Sequence, residues 1–329
     1  MLTIRAVAVD DADALALWGE QEADLVRRYD APGLRLPTTF DGFIVSLVGY
    51  ADGGVPAASL VLRWSPYDTG AGSVELKRLW VREGYRGRGY AKVLLGRAEA
   101  IARREGATRI VLEAGDEQPE ALSLYDQLGY ARIPDYGEHA GEEGTVSCGL
   151  DLPTRVLVVT GSLGAGKTAV GAAVHEALGR RGARTAFLDA DTLCQAFPTT
   201  PEDPVNRGLL LEALAVLAPL YRERGYGTVV LPVVLEDPDE SVRLSHAFAS
   251  EGGPAEVIVA RVAAPDEERI ARLERRETSA WWLDWARTRT VEMEGELDAL
   301  GLEDVTIDNG ATTVDDAAAQ LLQEVGWAL

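Results

Sequence analysis

Val156 to Thr160 is an unbroken apolar-rich run, VLVVT, that leads straight into GSLGAGKT at Gly161 to Thr168. The run predicts a buried strand, and the residues after the loop, Ala169 to Arg180, predict a helix. Each part of this junction has a chemical use. The glycines let backbone N–H groups curl around phosphate oxygens, Lys167 reaches the outer phosphates, and the Thr168 hydroxyl can hold Mg²⁺. The helix that follows aims its positive end at the anion. A glycine-rich turn that binds nothing would need neither the strand before it nor the helix after it. The junction lies near mid-chain, so a separate unit must occupy the first half.

A chain of 329 residues is too long for one ordinary core and predicts two domains, here 1–152 and 153–329. The hydrophobic share of 47% and charged share of 26% fit a soluble globular chain. No apolar run approaches the ~20 residues a membrane span needs. No basic segment followed by an apolar one marks a signal peptide. Two cysteines, Cys148 and Cys194, are too few for a disulfide framework or a zinc cluster, and point to the cytoplasm. The net charge is −21; residues 1–150 hold 16 basic against 23 acidic residues and the remainder 16 against 30. Such a chain is a poor binder of nucleic acid. Its acidity keeps the surface soluble and could favour cationic substrates.

In the first half, strands are expected over Leu2 to Val9, Phe43 to Tyr50, Ala57 to Trp64, Ser73 to Val81 and Thr108 to Glu113, with a closing strand at Thr145 to Leu150. Helices are expected over Ala12 to Tyr29, Ala91 to Glu105 and Pro119 to Leu128. A second strand–loop–helix cradle stands at Arg86, Gly87, Arg88, Gly89, Tyr90 and Ala91, where a basic glycine loop suits a pyrophosphate. Residues 134–144 form a glycine-rich acidic loop containing His139, a residue that in such a loop is more often solvated than catalytic.

These residues resemble the GNAT N-acetyltransferase family over 1–152. RGRGYA, Arg86 to Ala91, matches its acetyl-CoA motif, and ALSLYDQLGY, Ala121 to Tyr130, matches its later helix. The resemblance implies an α+β domain with a mixed sheet. It implies that acetyl-CoA lies along Leu79 and Val81, with its pyrophosphate on the amides of Gly87 to Ala91 and with Gln118 near the cofactor. Tyr125 would protonate the leaving thiolate or pack against the cofactor. Glu75 would serve as base for the acceptor amine.

In the second half, strands at Arg184 to Leu188, Thr228 to Leu235, Glu256 to Val262 and Val305 to Ile307 alternate with helices. This predicts a three-layer α/β domain with a parallel sheet and ligands at the carboxyl ends of its strands. Asp189 and Asp191 sit at such an end. On an extended segment they could converge, or they could cap a helix. This half, over about 154–329, resembles the P-loop small-molecule kinases, the group of shikimate kinase, adenylylsulfate kinase and chloramphenicol phosphotransferase. The resemblance implies that Gly161, Ser162, Leu163, Gly164, Ala165, Gly166, Lys167 and Thr168 bind ATP, with GTP an alternative, and that Thr168 and Asp191 hold Mg²⁺. Asp189 would be the base and Lys167 a catalytic cation. Arg272, Arg275 and Arg276, on a helix that closes on ATP, would reach its phosphates or pair with neighbouring glutamates. Ile307 to Gly310 falls where related kinases contact the adenine. Trp281, Trp282 and Trp285 fit an anchor to the core better than a substrate cover.

The combined expectation is a cytoplasmic bifunctional enzyme that acetylates an amine and phosphorylates a hydroxyl of small molecules. Its acceptors could be one amine-bearing antibiotic or metabolite, with no nucleic-acid or membrane partner, and oligomerisation stays open. The rivals are a nucleotide-binding domain that regulates the acetyltransferase without being a kinase, and a first half that binds acetyl-CoA only as a ligand or acetylates a protein lysine.

Overall fold

The structure is a computed structural model that describes residues 2–327. The chain divides into two compact units, Met1–Leu152 and Pro153–Leu329. In the first, β1 (Thr3–Val7), α1 (Ala12–Arg28), β2 (Phe43–Ala51), β3 (Val55–Trp64) and β4 (Ser73–Val81) are followed by α2 (Tyr90–Arg104), β5 (Arg109–Gly115), α3 (Pro119–Gln127), β6 (Ala131–Arg132) and β7 (Thr145–Asp151). The seven strands make one sheet in the order β1-β2-β3-β4-β5-β7-β6. All neighbours are antiparallel except β4 and β5. One face carries Leu60, Leu62, Val74 and Leu76 against Leu94, Leu95 and Ala98 of α2. The other carries Val48, Tyr50 and Val61 against Leu17 and Trp18 of α1. The sheet is thus sandwiched, which burial of both faces requires.

Two features of this sheet prepare a site. First, β4 and β5 pair only over Ser73–Glu75 and Arg109–Val111, so the remaining lengths of both strands have no mutual hydrogen bonds and a cleft opens between them. Second, β4 carries a bulge. Ser59 faces Trp80 and Val61 faces Lys77, so Arg78 and Leu79 together oppose Leu60. Arg78 has φ +58, uncommon for a residue with a side chain. Its carbonyl accepts from Ser59 Oγ at 3.1 Å and its guanidinium donates to the Pro37 carbonyl. These partners hold a conformation the residue alone would not choose.

The second unit comprises β8 (Arg155–Thr160), α4 (Lys167–Arg180), β9 (Thr185–Phe187), α5 (Ala190–Leu193), α6 (Arg207–Glu223), β10 (Thr228–Pro232), α7 (Glu240–Ala247), β11 (Glu256–Ala263), α8 (Asp266–Arg276), α9 (Ala280–Leu300), β12 (Val305–Asp308) and α10 (Val314–Glu324). Its five strands are all parallel, in the order β12-β11-β8-β10-β9. Val156 and Val158 face a cluster with Leu210, Leu214, Leu244 and Phe248, whereas Leu157 and Val159 face Val170, Val174, Leu321 and Trp327. Both faces of β8 are therefore covered, which explains why its run is apolar without alternation. The order reverses beside β8, so the loops after β8, β9, β10, β11 and β12 gather at the carboxyl edge, where ligands of open α/β sheets bind.

Of the two forms open to Asp189 and Asp191 the helix cap is taken, and the tryptophan segment differs from expectation. Asp189 to Asp191 is not extended: Ala190–Leu193 is a helical turn, and Asp189 caps it by accepting the Asp191 amide at 3.0 Å. Trp281, Trp282 and Trp285 do not anchor α9. They are 70%, 48% and 44% exposed and pack edge-to-face on one another. The buried stripe of α9 is Ala286, Thr290, Met293 and Leu297; its first turns carry the tryptophans beyond the packed part of the unit. Among the described residues, no helix is long and apolar enough to cross a membrane.

Candidate functional sites

The cleft between β4 and β5 has a volume of about 1010 Å³. Leu79 and Val81 of β4, Gln118 and Tyr125 of the α3 segment, and Arg86, Gly87, Gly89, Tyr90 and Ala91 all line it. Gly87 and Gly89 have φ +73 and +78, and a Cβ added at either would meet open space. Gly89 is the N-cap of α2 and no side chain caps that helix. Its first-turn amides are thus left for an outside acceptor. Arg88 departs from the expected set. It turns back to the Gly84 carbonyl at 3.2 Å and lies over the Tyr85 ring, off the cleft wall. Arg86 lies over Trp80, with its Nε 3.1 Å from the Val81 carbonyl. Gln118 donates to the Tyr29 hydroxyl at 3.3 Å.

Tyr125 is 5% exposed, and burial pushes its phenol up, with a smaller push from Cys148. It stays protonated across the physiological range. Glu75 needs correction. Its side chain is fully buried and held by Arg63 at 2.6 Å and Lys77 at 2.7 Å, and Tyr136 donates to it at 3.3 Å. It does not line the cleft. A base needs an open lone pair within reach of its substrate, and the oxygens of Glu75 are already committed. Among the carboxylates on the wall, which include Asp24, Asp41 and Glu120, Glu113 is the one carried by β5. Its Oε2 takes Lys77 at 2.9 Å, while its Oε1 is buried and has no hydrogen-bond partner. Burial works against the Lys77 charge, yet Glu75 and Glu113 more than offset it and hold the ammonium above its ordinary range. The signal for Glu113 was the strand next to the cradle, and nothing in the residue's local pattern singled it out.

In the second unit, the loop after β8 is locked to its neighbours. Gly161, Gly164 and Gly166 have φ +145, +76 and +105. A Cβ on Gly164 would lie 2.5 Å from the Arg269 carbonyl oxygen, so only glycine fits. Like α2, α4 begins on a left-handed glycine and has no side-chain cap. Lys167 is 9% exposed and donates to the Ser162 carbonyl at 3.2 Å. Burial lowers its pKa from 10.5 to about 8, partly countered by Asp191 and Asp189, while Arg276 lowers it further. Asp189 and Asp191 thus act electrostatically on Lys167 from a helix cap instead of an extended strand. Thr168 is exposed on the first turn of α4.

The arginines of α8 divide. Arg272 donates to the carbonyls of Ala165 at 3.1 Å and Asn309 at 2.5 Å; it fastens the loop and is not a free phosphate ligand, which corrects its expected role. Arg276 pairs with Glu277 at 2.7 Å and is largely exposed. Arg275 is exposed. Asn309 donates to the Ala165 carbonyl at 2.8 Å, so the segment after β12 does reach the loop. Sequence reasoning missed Glu294 of α9. It accepts from Ser162 Oγ at 2.5 Å and pairs with Arg261 at 2.6 Å and Arg269 at 3.0 Å. Among the described residues, no three His, Cys, Asp or Glu side chains gather as a metal cage.

Residues 9–130 match the acetyltransferase (GNAT) family model. The chain is 32% identical over 117 residues to "Probable N-acetyltransferase family 8 member 5" of Mus musculus, covering 35% of this chain and 47% of that protein. It is 37% identical over 68 residues to N-acetyltransferase family 8 member 2 of Rattus norvegicus, covering 21% and 30% respectively. The chain thus spans about half the length of the first of these relatives and less of the second. Among solved structures, the GNAT domain of S. lividans PAT aligns at 26% identity over 45% of this chain and 89% of that one, with a TM-score of 0.36. The N-terminal region carries a GNAT acetyltransferase domain.

Proposed function

We propose that the chain joins an acetyl-CoA-dependent N-acetyltransferase, residues 1–152, to an ATP-dependent small-molecule kinase, residues 153–329. The observation that carries the first half is the cleft between β4 and β5, with an uncapped glycine cradle on one side and the unpartnered Glu113 oxygen in its wall. The open space beyond Gly87 and Gly89 fits a pyrophosphate. Acetyl-CoA supplies the acetyl thioester. A turn of the Glu113 side chain would bring its carboxylate to the amine to accept the proton, and the Tyr125 phenol donates one to the departing thiolate. Glu75, Arg63 and Lys77 keep Glu113 in place.

The second half rests on the loop at Gly161 to Thr168, with Lys167 buried at its centre. Its uncapped helix start suits polyphosphate. Mg²⁺ commonly binds through one or two protein ligands plus substrate phosphates and water, so Thr168 and Asp191 would suffice without a cage. ATP supplies the phosphoryl group. Lys167 and Arg276 set positive charge where it is bound, and Asp189 takes the proton of the acceptor hydroxyl. Two free cysteines and these two cosubstrates favour the cytoplasm. A second reading, nucleotide binding that regulates without transfer, draws on the use of Asp189 as a helix cap.

The test is to incubate the full chain with cell extract, acetyl-CoA and Mg-ATP and follow acetyl and phosphoryl mass increments. Tyr125→Phe should remove the first and Asp189→Asn the second, each without effect on the other. Retention of phosphoryl transfer in Asp189→Asn would eliminate that residue as base. Nucleotide binding without any phosphorylated product would favour the regulatory reading.

A further inference from the structure

Arg78 is the strained residue of the β4 bulge, at φ +58, a conformation that glycine takes without a steric penalty. It is 7% exposed and lines the cleft. Its Nη2 donates to the Pro37 carbonyl, and its Cζ lies 5.6 Å from the centre of the Trp18 ring. Among the described residues, Nε and Nη1 have no acceptor, and neither atom is sealed from solvent. No carboxylate of the described residues lies within ion-pair distance of the guanidinium. Glu22 acts on it only at longer range, and that carboxylate is committed to the Leu36 amide at 2.8 Å and to Arg35 at 3.8 Å. Burial lowers the Arg78 pKa from 12.5 to about 10, so the group stays a cation at neutral pH.

The neighbouring cations of the cleft are matched. Arg28 has Asp24 and Glu120, Arg63 has Glu75, and Lys77 has Glu75 and Glu113. Arg86 stands 3.8 Å from Asp24. A buried charge without a counter-ion is costly. A clasp on Pro37 needs only a neutral donor, and the bulge is made most easily by glycine. An arginine held here against both preferences answers an anion that enters the cleft. The phosphates of acetyl-CoA have the glycine loop at Gly87 to Ala91, so this anion belongs to the acceptor. The segment that supplies Pro37 also brings Leu34, Leu36 and Phe40 to the cleft, which suits an apolar body beside the charge.

We infer that Arg78 binds a carboxylate of the acetyl acceptor, and that this acceptor is an amine with a carboxylate and an apolar body, as in an apolar amino acid or a short peptide of one. This rests on the acetyltransferase reading above. Nε and Nη1 are the donors left for the carboxylate, while Nη2 and the Trp18 ring hold the guanidinium in place.

The test uses the full chain with saturating acetyl-CoA and two matched pairs of acceptors, phenylalanine with its amide and glycylphenylalanine with its amide. With rates expressed per free amine, kcat/KM for at least one acid should exceed that of its amide by about 10- to 100-fold, the range for a hydrogen bond to a charged group. Arg78→Gln keeps a neutral donor for Pro37 and should bring that ratio close to one, mainly through KM for the acid. Equal use of acid and amide by the native chain, or a ratio that Arg78→Gln leaves intact, would overturn the inference while the acetyltransferase reading stands. A variant whose only change is a higher KM for acetyl-CoA would give Arg78 to the cofactor and overturn it as well. The native comparison needs no variant, so it decides the matter even where Arg78→Gln does not fold. Acetylation of amines in a cell extract but of none of these four would remove the inference alone, and no acetylated product in the extract would remove both.

Discussion

Glu75 and Glu113 share Lys77 and do different work. Glu75 compensates two cations inside the sheet, whereas Glu113 lines the cleft and pairs with Lys77 through one oxygen only. Glu113→Gln should therefore lower kcat by roughly 10² to 10⁴, the usual yield of a general base, with a smaller loss of stability than Glu75→Gln because Lys77 keeps Glu75 as a partner. Glu75→Gln should instead cost about 3–5 kcal/mol of stability in denaturant titration, because Arg63 and Lys77 lose a buried partner. The reverse pattern would return the base role to Glu75. The resemblance pointed to Glu75 as a residue of the strand facing the cleft, and on a regular strand it would share a face with Leu79 and Val81. The bulge at Arg78 and Leu79 resets that phase, so Leu79 and Val81 join the face of Leu76. A bulge on a non-glycine residue leaves no local signature.

Lys167 was legible from its motif, but its burial was not. Its native pKa of about 8 lies below the ordinary 10.5. Between those values the unfolded chain holds a proton that the native chain lacks, so this group makes stability rise as pH climbs through that window, and its burial cost is fully present below it. Bound phosphates would draw the pKa back up. ATP binding near pH 8 should thus take up a proton, seen as a binding enthalpy that varies with buffer ionisation enthalpy, and Lys167→Met should lose that dependence. Buffer-independent heats in the native chain would contradict it.

At the scale of elements, the two glycine loops share a design, an uncapped helix starting on a left-handed glycine, and differ in how tightly the glycines are gripped. Gly89 has φ +78 with open space around a would-be Cβ, and Gly164 has φ +76 with the Arg269 carbonyl 2.5 Å away. Gly89→Ala should cost roughly 1–2 kcal/mol, the penalty of a left-handed residue with a Cβ, and raise KM for acetyl-CoA. Gly164→Ala should cost more, since two packed backbone segments must part, and should abolish nucleotide binding. Equal losses of stability would show that the clasp on the second loop is weak. The long strands and helices were legible from periodicity, and their observed ends fall within a few residues of expectation. The two-residue β6 was too short to read. The sequence left Asp189–Asp191 open between two forms because a helix cap and an extended carboxylate pair share one composition, and the cap is the one formed. For α9, spacing alone could not show that its first turns run past the packed part of the unit.

At the scale of the whole molecule, every buried core cluster draws its residues from one side of Leu152 or the other. Each unit therefore carries its own hydrophobic driving force, and each has its own glycine loop at the start of an uncapped helix. A chain built this way should unfold in two calorimetric transitions. A ligand at about 100 times its Kd adds about 2.7 kcal/mol to the state it binds. For units of this size that shift is roughly 5–10 °C. Acetyl-CoA should raise only the transition that Tyr125→Phe and Gly89→Ala variants also report on, and Mg-ATP only the one sensitive to Gly164→Ala. If either ligand moved both transitions, the units would share free energy, and by reciprocity ATP would then change the affinity for acetyl-CoA by the same factor that acetyl-CoA changes the affinity for ATP. Independent shifts would instead show two separately folded units whose ligands exchange no free energy.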